Sequence, residues 1–402
     1  MEEDGSSILS LMPSALRFRP PRLALSPEVR WMLLRAFGPA GAPFPEPVEP
    51  AAALALARRF EVSARIAVRQ GRERLRAEVG EEITAGFARD RARAAAVGMR
   101  LMGEVRRVAE VAAGLGCPLA CLKLAALEGT GLLAAGSREA CDADLLVPGG
   151  RAEELWQALA VAGFRGSGMP EAEHQLTALK GPQGGVVEIH RHLPGVRLEG
   201  AASATYEALD RAGLLLPLPD LPGRCAAPAP EVLAAHVLVH GLGQHGYWPS
   251  SYSLLKMVAD LQDLEAFTDR AASWVARDVS AVEVEAVRRL LERLAAGEDP
   301  AGWTGPEEEL LRHILAGRLD AEYAGALRLG LFRPQPSERS RPAQLARAVL
   351  GAVFLSDAQI DAVYGRPRTR LGYLGRRLAR PFDLLLRLGS YGARWARLRR
   401  ER

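Results

Sequence analysis

Residues 141–147 read CDADLLV, an apolar run that carries two carboxylates near its start. Side chains of a β-strand alternate between its faces, so Asp142 and Asp144 point to one side while Ala143 and Leu145 point to the other. Two like charges held this close on a half-buried face repel each other and lose hydration. The stretch therefore predicts a strand whose acids share a cation, and a divalent metal ion is the simplest such cation.

A second predicted strand supplies a third acid. In GGVVEIHRHL, residues 184–193, Glu188 and His190 share one face and alternate with Val187 and Ile189. Two acids on one strand and a third on its neighbour form a ligand set for two magnesium ions, which can hold the attacking and leaving oxygens of a phosphoryl displacement. The alternative is that these acids cap strand ends or pair with surface arginines.

The spacing of apolar residues predicts three regions of different secondary structure along the chain. Residues 51–115 repeat apolar positions at helical spacing, residues 116–215 alternate short strands with helices, and the helical pattern returns from about residue 230. This order predicts an α+β fold, with a small mixed-sheet core flanked by N- and C-terminal helical regions.

Proline-rich and glycine-rich stretches mark the expected boundaries between these parts. The predicted parts are an N-terminal segment with a linker, a helical region, the core, a C-terminal helical domain and a basic tail, at residues 1–50, 51–115, 116–215, 216–365 and 366–402.

The composition excludes several classes of protein. Hydrophobic residues make up 48% and charged residues 25%, as in ordinary soluble domains. No apolar run approaches the roughly 18 residues that span a bilayer, and the N-terminus lacks the apolar region of a signal peptide, so we expect a cytoplasmic protein without a transmembrane segment. The few cysteines have no paired CxxC spacing, which argues against a disulfide framework or a zinc ribbon.

The C-terminal segment concentrates the positive charge. From Arg366 onward, Asp383 and Glu401 are the acids in a stretch rich in arginine and leucine, which predicts an amphipathic helix. Its apolar stripe is expected to pack on the domain, with its arginines in solvent. Contact with an acidic surface, either a membrane or a nucleic acid, is the alternative.

The central motifs resemble those of the polymerase-beta-like nucleotidyltransferases. The closest group has LKGxAL, then an arginine four residues before DxDLLV, then a VEIH strand; here LKLAAL starts at Leu122, Arg138 precedes DADLLV, and VEIH ends at His190. Further along, AAHVLVHGLGQHG and LLKMVADLQDL are similar to the helical segment of that group. The resemblance covers residues from about 50 to 390 and is most specific in the centre.

This resemblance implies an enzyme that moves a nucleoside monophosphate, preferably AMP from ATP, onto a hydroxyl or phosphate and releases pyrophosphate. Asp142, Asp144 and Glu188 would hold two Mg²⁺ ions and perform the catalysis. Lys123 and Arg138 would contact the triphosphate, where their charge offsets the charge that develops at phosphorus. The acceptor stays open between a small molecule, a peptide, a protein and an RNA, because a fold does not choose a substrate.

One departure leaves a second function open. The glycine that follows the lysine in the resembled family is Leu124 here, at a point where a small residue lets backbone amides approach phosphates. The alternative is therefore a catalytically degenerate protein of the same fold that binds a nucleotide or a partner.

Three histidines are candidates for contacting the acceptor or orienting the carboxylates, namely His190, His174 and His240. His240 lies four residues after His236, so on a helix both share a face that suits either zinc binding or packing. Among 52 basic residues only Lys123, Lys180 and Lys256 are lysines, which favours a chemical role for Lys123.

Overall fold

The structure, a computed structural model, describes residues 25–167, 173–201, 203–245, 253–275, 279–319 and 369–379. The chain divides into two units, residues 1–320 and residues 321–402. In the second unit the described helix, residues 370–379, exposes Leu371 and Leu374. Within the described residues, no helix has the length and apolarity that crossing a bilayer requires. Contact of the basic tail with an acidic surface stays a prediction.

The first unit alternates helices and short strands. Its helices are α1 (Pro27–Phe37), α2 (Pro50–Arg59), α3 (Ser63–Gly114), α4 (Lys123–Gly129), α5 (Ala152–Val161), α6 (Tyr206–Arg211), α7 (Pro230–Leu238), α8 (Leu254–Leu264), α9 (Asp269–Ser273), α10 (Ala281–Ala296) and α11 (Pro306–Leu319). A π-helical segment, Val239–His245, follows α7. The strands are β1 (Leu119–Cys121), β2 (Asp142–Leu146), β3 (Arg165–Gly166), β4 (Leu179–Lys180), β5 (Val186–His190), β6 (His192–Leu193), β7 (Ala204–Thr205), β8 (Leu215–Pro217) and β9 (Cys225–Pro228).

Seven strands form one mixed sheet in the order β3-β4-β5-β2-β1-β9-β8. At its centre β2 and β5 run parallel, and β1 pairs antiparallel with β2 and parallel with β9. Leu145, Val187 and Ile189 on these strands are at most 1% exposed. Helices α3, α4 and α5 contact the central strands, so part of the hydrophobic core lies between the sheet and these helices.

The N-terminal helices start at clear local signals. The hydroxyl of Ser26 accepts a hydrogen bond from the amide of Val29, and Pro27 occupies the first helical position of α1. Trp31 and Phe37 of this helix are fully buried. The segment that the sequence assigned to a terminal extension therefore contributes a helix to the hydrophobic core.

Helix α3 is interrupted twice. Gly71 and Gly80 have φ angles of 71° and 80°, a backbone region that glycine enters without steric cost. The helix therefore consists of three helical segments. The first segment bonds to other helices, since Arg65 donates to the carbonyl of Ala36 and pairs with Asp263.

The fold confirms the predicted α+β class, and the acid-bearing strands form as expected. The sheet, however, extends beyond residue 215, where the sequence placed the end of the core. Strand β9 lies in the proline-rich stretch after residue 215. The stretch forms a strand because the small apolar residue Ala226 pairs with Ala120 of β1 and Pro228 falls at the end of the strand. The five-part division of the chain stays a prediction.

Gly136, in the loop before β2, tests how tightly this loop packs. Its φ is +75°, and a Cβ atom there would lie 2.8 Å from Cβ of Ala95 in α3. Gly131 has a φ of +73° but no atom within 4 Å of such a Cβ, so it is a matched control. We expect Gly131→Ala to lower the free energy of unfolding by about 1–2 kcal/mol through backbone strain alone. Gly136→Ala should cost about 1–3 kcal/mol more through overpacking, measured by urea denaturation. Equal losses would contradict the close packing of this loop on α3.

Candidate active site

The register of the two central strands builds the site. Asp144 of β2 lies directly opposite Glu188 of β5, and Leu146 lies opposite His190. Residues paired across neighbouring strands point to the same face, so Asp142, Asp144, Glu188 and His190 share one face of the sheet. Asp144 and His190, which are 46 residues apart in sequence, thus meet because their strands pair.

Lys123 supplies the cation that these acids require. Its Nζ donates to Oδ1 of Asp144 at 2.9 Å, and the two side chains are 9% and 1% exposed. Burial lowers the pKa of Lys123, but the charges of Asp144, Asp142 and Glu188 outweigh burial and raise the pKa above its usual value. Burial likewise opposes ionisation of Asp144, yet Lys123 and His190 hold the pKa of Asp144 well below its usual range. Both groups are therefore charged.

The backbone at Lys123 is unusual. Its φ is +44°, the left-handed region that side chains other than glycine rarely adopt. This conformation occurs where β1 ends and α4 begins, between Leu122 in extended geometry and the first helical turn. Backbone strain of this kind concentrates at functional sites. It lets the chain turn abruptly while the lysine side chain stays against Asp144.

Glu188 and His190 complete a compact group around Asp144. Nε2 of His190 lies 3.1 Å from Oδ1 of Asp144 and 3.7 Å from Oε2 of Glu188. Burial, together with the negative charges of Asp144 and Asp142, raises the pKa of Glu188 to about 7. The face therefore carries one firmly ionised carboxylate next to one that ionises near neutral pH.

These three side chains form a possible metal site. One ligand atom from each of Asp144, Glu188 and His190 lies within 4.8 Å of the others, and no other such group occurs among the described residues. Carboxylate oxygens and an imidazole nitrogen are competent metal ligands, so the residues present fit a divalent ion. Asp142 is half-buried, sits opposite Val186 and does not belong to this group. Its role as a metal ligand stays a prediction.

Other histidines surround this group. Nε2 of His240, on the π-helical segment, lies 3.0 Å from Nζ of Lys123, and the ring of His174 stacks on that of His190 with centroids 5.8 Å apart. The ring of His236, 5.9 Å from His240, is 1% exposed. Burial lowers the pKa of His236 to about 3, and neither of its nitrogens has a hydrogen-bond partner among the described residues. The sequence did not single out His236 as a site residue, although its i, i+4 spacing with His240 indicated a shared face.

Arg138 forms a buried ion pair with a C-terminal helix. Its guanidinium donates to both carboxylate oxygens of Asp260 in α8, at 2.8 and 2.9 Å, and both side chains are buried. The bidentate pair joins the loop before β2 to the C-terminal helices. Contact of Arg138 with a triphosphate stays a prediction. Sequence reasoning missed Asp260 as this partner, although the motif LLKMVADLQDL contains it.

Leu124, the departure from the resembled motif, belongs to the hydrophobic core. It is 3% exposed and clusters with the other buried residues of α4, including Ala126 and Leu127. Its side chain is therefore accommodated by apolar packing.

Comparison with known proteins places this site in a family. A family model described as "Uncharacterised nucleotidyltransferase" matches residues 46–295, which is more than half of the chain and contains every acid and cation of the site. The chain belongs to this family, as the sequence motifs predicted. No curated protein and no solved structure matches the chain.

The buried pair of Arg138 and Asp260 provides a first test of the site's construction. Asp260→Asn removes the carboxylate that holds a buried guanidinium in a bidentate pair, so we expect it to lower the free energy of unfolding by about 3–5 kcal/mol. Glu285→Gln removes an exposed i, i+4 pair with Arg289 and should cost at most about 1 kcal/mol. Denaturant titration of both variants measures the difference. Similar small losses would show that the buried pair does not hold the loop.

The raised pKa of Glu188 predicts a pH-dependent stability in metal-free protein. The folded state binds this proton more tightly than the unfolded state, so its stabilising effect is complete below pH 4.5 and is lost as pH rises through about 7. Glu188→Gln removes this loss. With a chelator present, the free energy of unfolding of the variant relative to that of wild type should rise by roughly 1–3 kcal/mol from pH 5 to pH 8. Asp144 does not interfere, because its contribution is lost only when pH falls below 3.8. A stability difference independent of pH would refute the assignment.

Proposed function

We propose that the protein is a metal-dependent nucleotidyltransferase that moves a nucleoside monophosphate, AMP from ATP by preference, to a hydroxyl or phosphate of an acceptor. The observation that carries the proposal is the buried group of Asp144, Glu188, His190 and Lys123, which lies within the region matched by the family. Such a group combines metal ligands with a fixed positive charge on one face. Phosphoryl transfer requires such groups to stabilise the negative charge of the phosphates.

Each residue has a defined part in this reaction. An oxygen of the acceptor attacks the α-phosphorus, the bond from that phosphorus to the bridging oxygen breaks, and pyrophosphate leaves with the electron pair. A carboxylate of the site accepts the acceptor's proton. The ammonium of Lys123 offsets negative charge at the transferred phosphoryl group. A bound divalent ion would be held by Asp144 and Glu188 and would supply Lewis-acid stabilisation of the phosphate oxygens.

Asp142 is the ligand proposed for the second of two ions. It shares the face of Asp144 but lies at the more exposed start of β2, where burial is only partial. Asp142 would hold an ion that the nucleotide brings with it, and Mg²⁺ is the ion that commonly accompanies phosphates.

The competing hypothesis is a degenerate protein that binds a nucleotide or a partner without catalysis. It rested on Leu124, which stands where the resembled family has a glycine that lets backbone amides approach phosphates. The burial of Leu124 supports the catalytic hypothesis instead, because a side chain packed in the hydrophobic core does not occupy the space that the phosphates need. The acids and Lys123 are also intact.

Asp142→Asn gives the cleanest test of this function. It removes charge from the site without breaking the Lys123 pair, so the fold should remain intact. Calorimetry with each nucleoside triphosphate and Mg²⁺ should show metal-dependent binding by wild type and at least tenfold weaker binding by the variant, as expected for loss of a group that contacts the bound ion. Asp210→Asn, at an exposed acid of α6, is the matched control and should bind like wild type.

Pyrophosphate release separates the two hypotheses. Wild type that binds a nucleotide and releases pyrophosphate, with release lost in Glu188→Gln, supports the enzyme. Binding without release under any acceptor supplied supports the degenerate protein. Absence of binding to every nucleoside triphosphate would refute the enzyme and leave a degenerate protein that binds a partner.

A further inference from the structure

The donor atoms of the buried group differ in kind from those that the sequence predicted. The expected set was three carboxylates, which suit Mg²⁺, whereas the atoms that converge are two carboxylates and the imidazole of His190. Magnesium takes oxygen ligands, while imidazole nitrogen is a ligand for first-row transition ions. The identity of one residue therefore bears directly on which ion the site selects.

We propose that Asp144, Glu188 and His190 form a mixed carboxylate–imidazole site that binds a first-row transition ion, with Mn²⁺ as the ion compatible with phosphoryl transfer, in preference to Mg²⁺. Nε2 of His190 is a direct ligand of that ion. The inference rests on the proposed function only for the use to which the ion is put.

The distances suit direct coordination. Nε2 of His190 lies 3.1 Å from the nearest oxygen of Asp144 and 3.7 Å from the nearest oxygen of Glu188. Two ligand atoms that each lie about 2.1 Å from an ion are roughly 3.0–3.4 Å apart in octahedral or tetrahedral geometry. Small side-chain adjustments thus bring all three atoms onto one ion.

Burial works against magnesium. The side chains of Asp144, His190 and Glu188 are 1%, 4% and 12% exposed. Mg²⁺ gives up its water reluctantly and usually keeps several water molecules when protein carboxylates bind it. A buried pocket that replaces one of those waters with an imidazole discriminates against it.

The orientation of His190 presents Nε2 and no other atom to the carboxylates. Nδ1 of this ring is buried without a hydrogen-bond partner among the described residues, and the ring stacks on His174. Packing therefore fixes the ring.

Charge limits the buried site to one ion. Asp142, Asp144 and Glu188, when ionised, together with the ammonium of Lys123, leave two negative charges on this face, which one divalent ion neutralises. A second ion bound before any nucleotide would lie close to both the first ion and Lys123. It therefore needs the negative charge of a triphosphate, which fits its proposed arrival with the nucleotide.

Electron paramagnetic resonance of Mn²⁺ bound to the metal-free full-length protein tests this inference. We expect one Mn²⁺ to bind, electron spin-echo modulation from an imidazole ¹⁴N, and at least tenfold weaker binding of Mg²⁺ in competition, since even outer partners of metal ligands contribute 10–100-fold to affinity. His190→Gln keeps a polar group beside Asp144 but removes the imidazole. It should lose the ¹⁴N signal and narrow the preference for Mn²⁺ over Mg²⁺.

His192→Gln is the matched control, since His192 lies two residues on and outside the ligand group. It should retain the signal and the preference. If His190→Gln does not fold, the wild-type spectrum decides: absence of ¹⁴N coupling, or competition by Mg²⁺ at equal concentration, overturns the proposal. Nucleotide binding and pyrophosphate release with Mg²⁺ alone, without ¹⁴N coupling, would refute this inference and leave the proposed function intact. Detection of ¹⁴N coupling in a protein that binds no nucleotide would support this inference and refute the proposed function.

Discussion

The buried bond between Lys123 and Asp144 is the interaction on which the site depends. An isolated carboxylate on a buried strand face would neutralise itself by taking up a proton, because desolvation penalises its charged form. The ammonium at 2.9 Å keeps Asp144 ionised and hence able to bind a metal. The left-handed backbone at Lys123 is the local cost of holding that ammonium in place, since it lets α4 begin directly after β1.

The parallel pairing of β2 and β5 is the second constraint. A shift of one residue in this register would turn Glu188 and His190 away from Asp144, since the side-chain period of a strand is two. Apolar residues protect the register, because such a shift would also expose Val187 and Ile189. The hydrophobic core and the polar site therefore specify the same alignment, and neither can change without the other.

Features that depend on a local sequence pattern could be predicted from the sequence. Alternation identified both acid-bearing strands and the face that Glu188 shares with His190, and the motifs identified the family. Contacts between distant segments had no such signal. Nothing local indicates that Arg138 bonds to Asp260, 122 residues away, or that a proline-rich stretch adds β9 to the sheet. The scarcity of lysine pointed to Lys123, but it pointed equally to Lys180, which is exposed on β4.

Several buried cations join the core to helical segments outside residues 116–215. Lys123 contacts His240, and Arg138 bonds to Asp260. In the other direction, Lys256 of α8 bonds to Glu61, before α3, and to the carbonyl of Glu139, just before β2. Without these segments Arg138 would lose its bidentate partner, at about 3–5 kcal/mol for a buried pair, and Lys123 would keep Asp144 but lose its contact with His240. The helical segments therefore help to position Lys123 and Arg138 beside the acid-bearing strands.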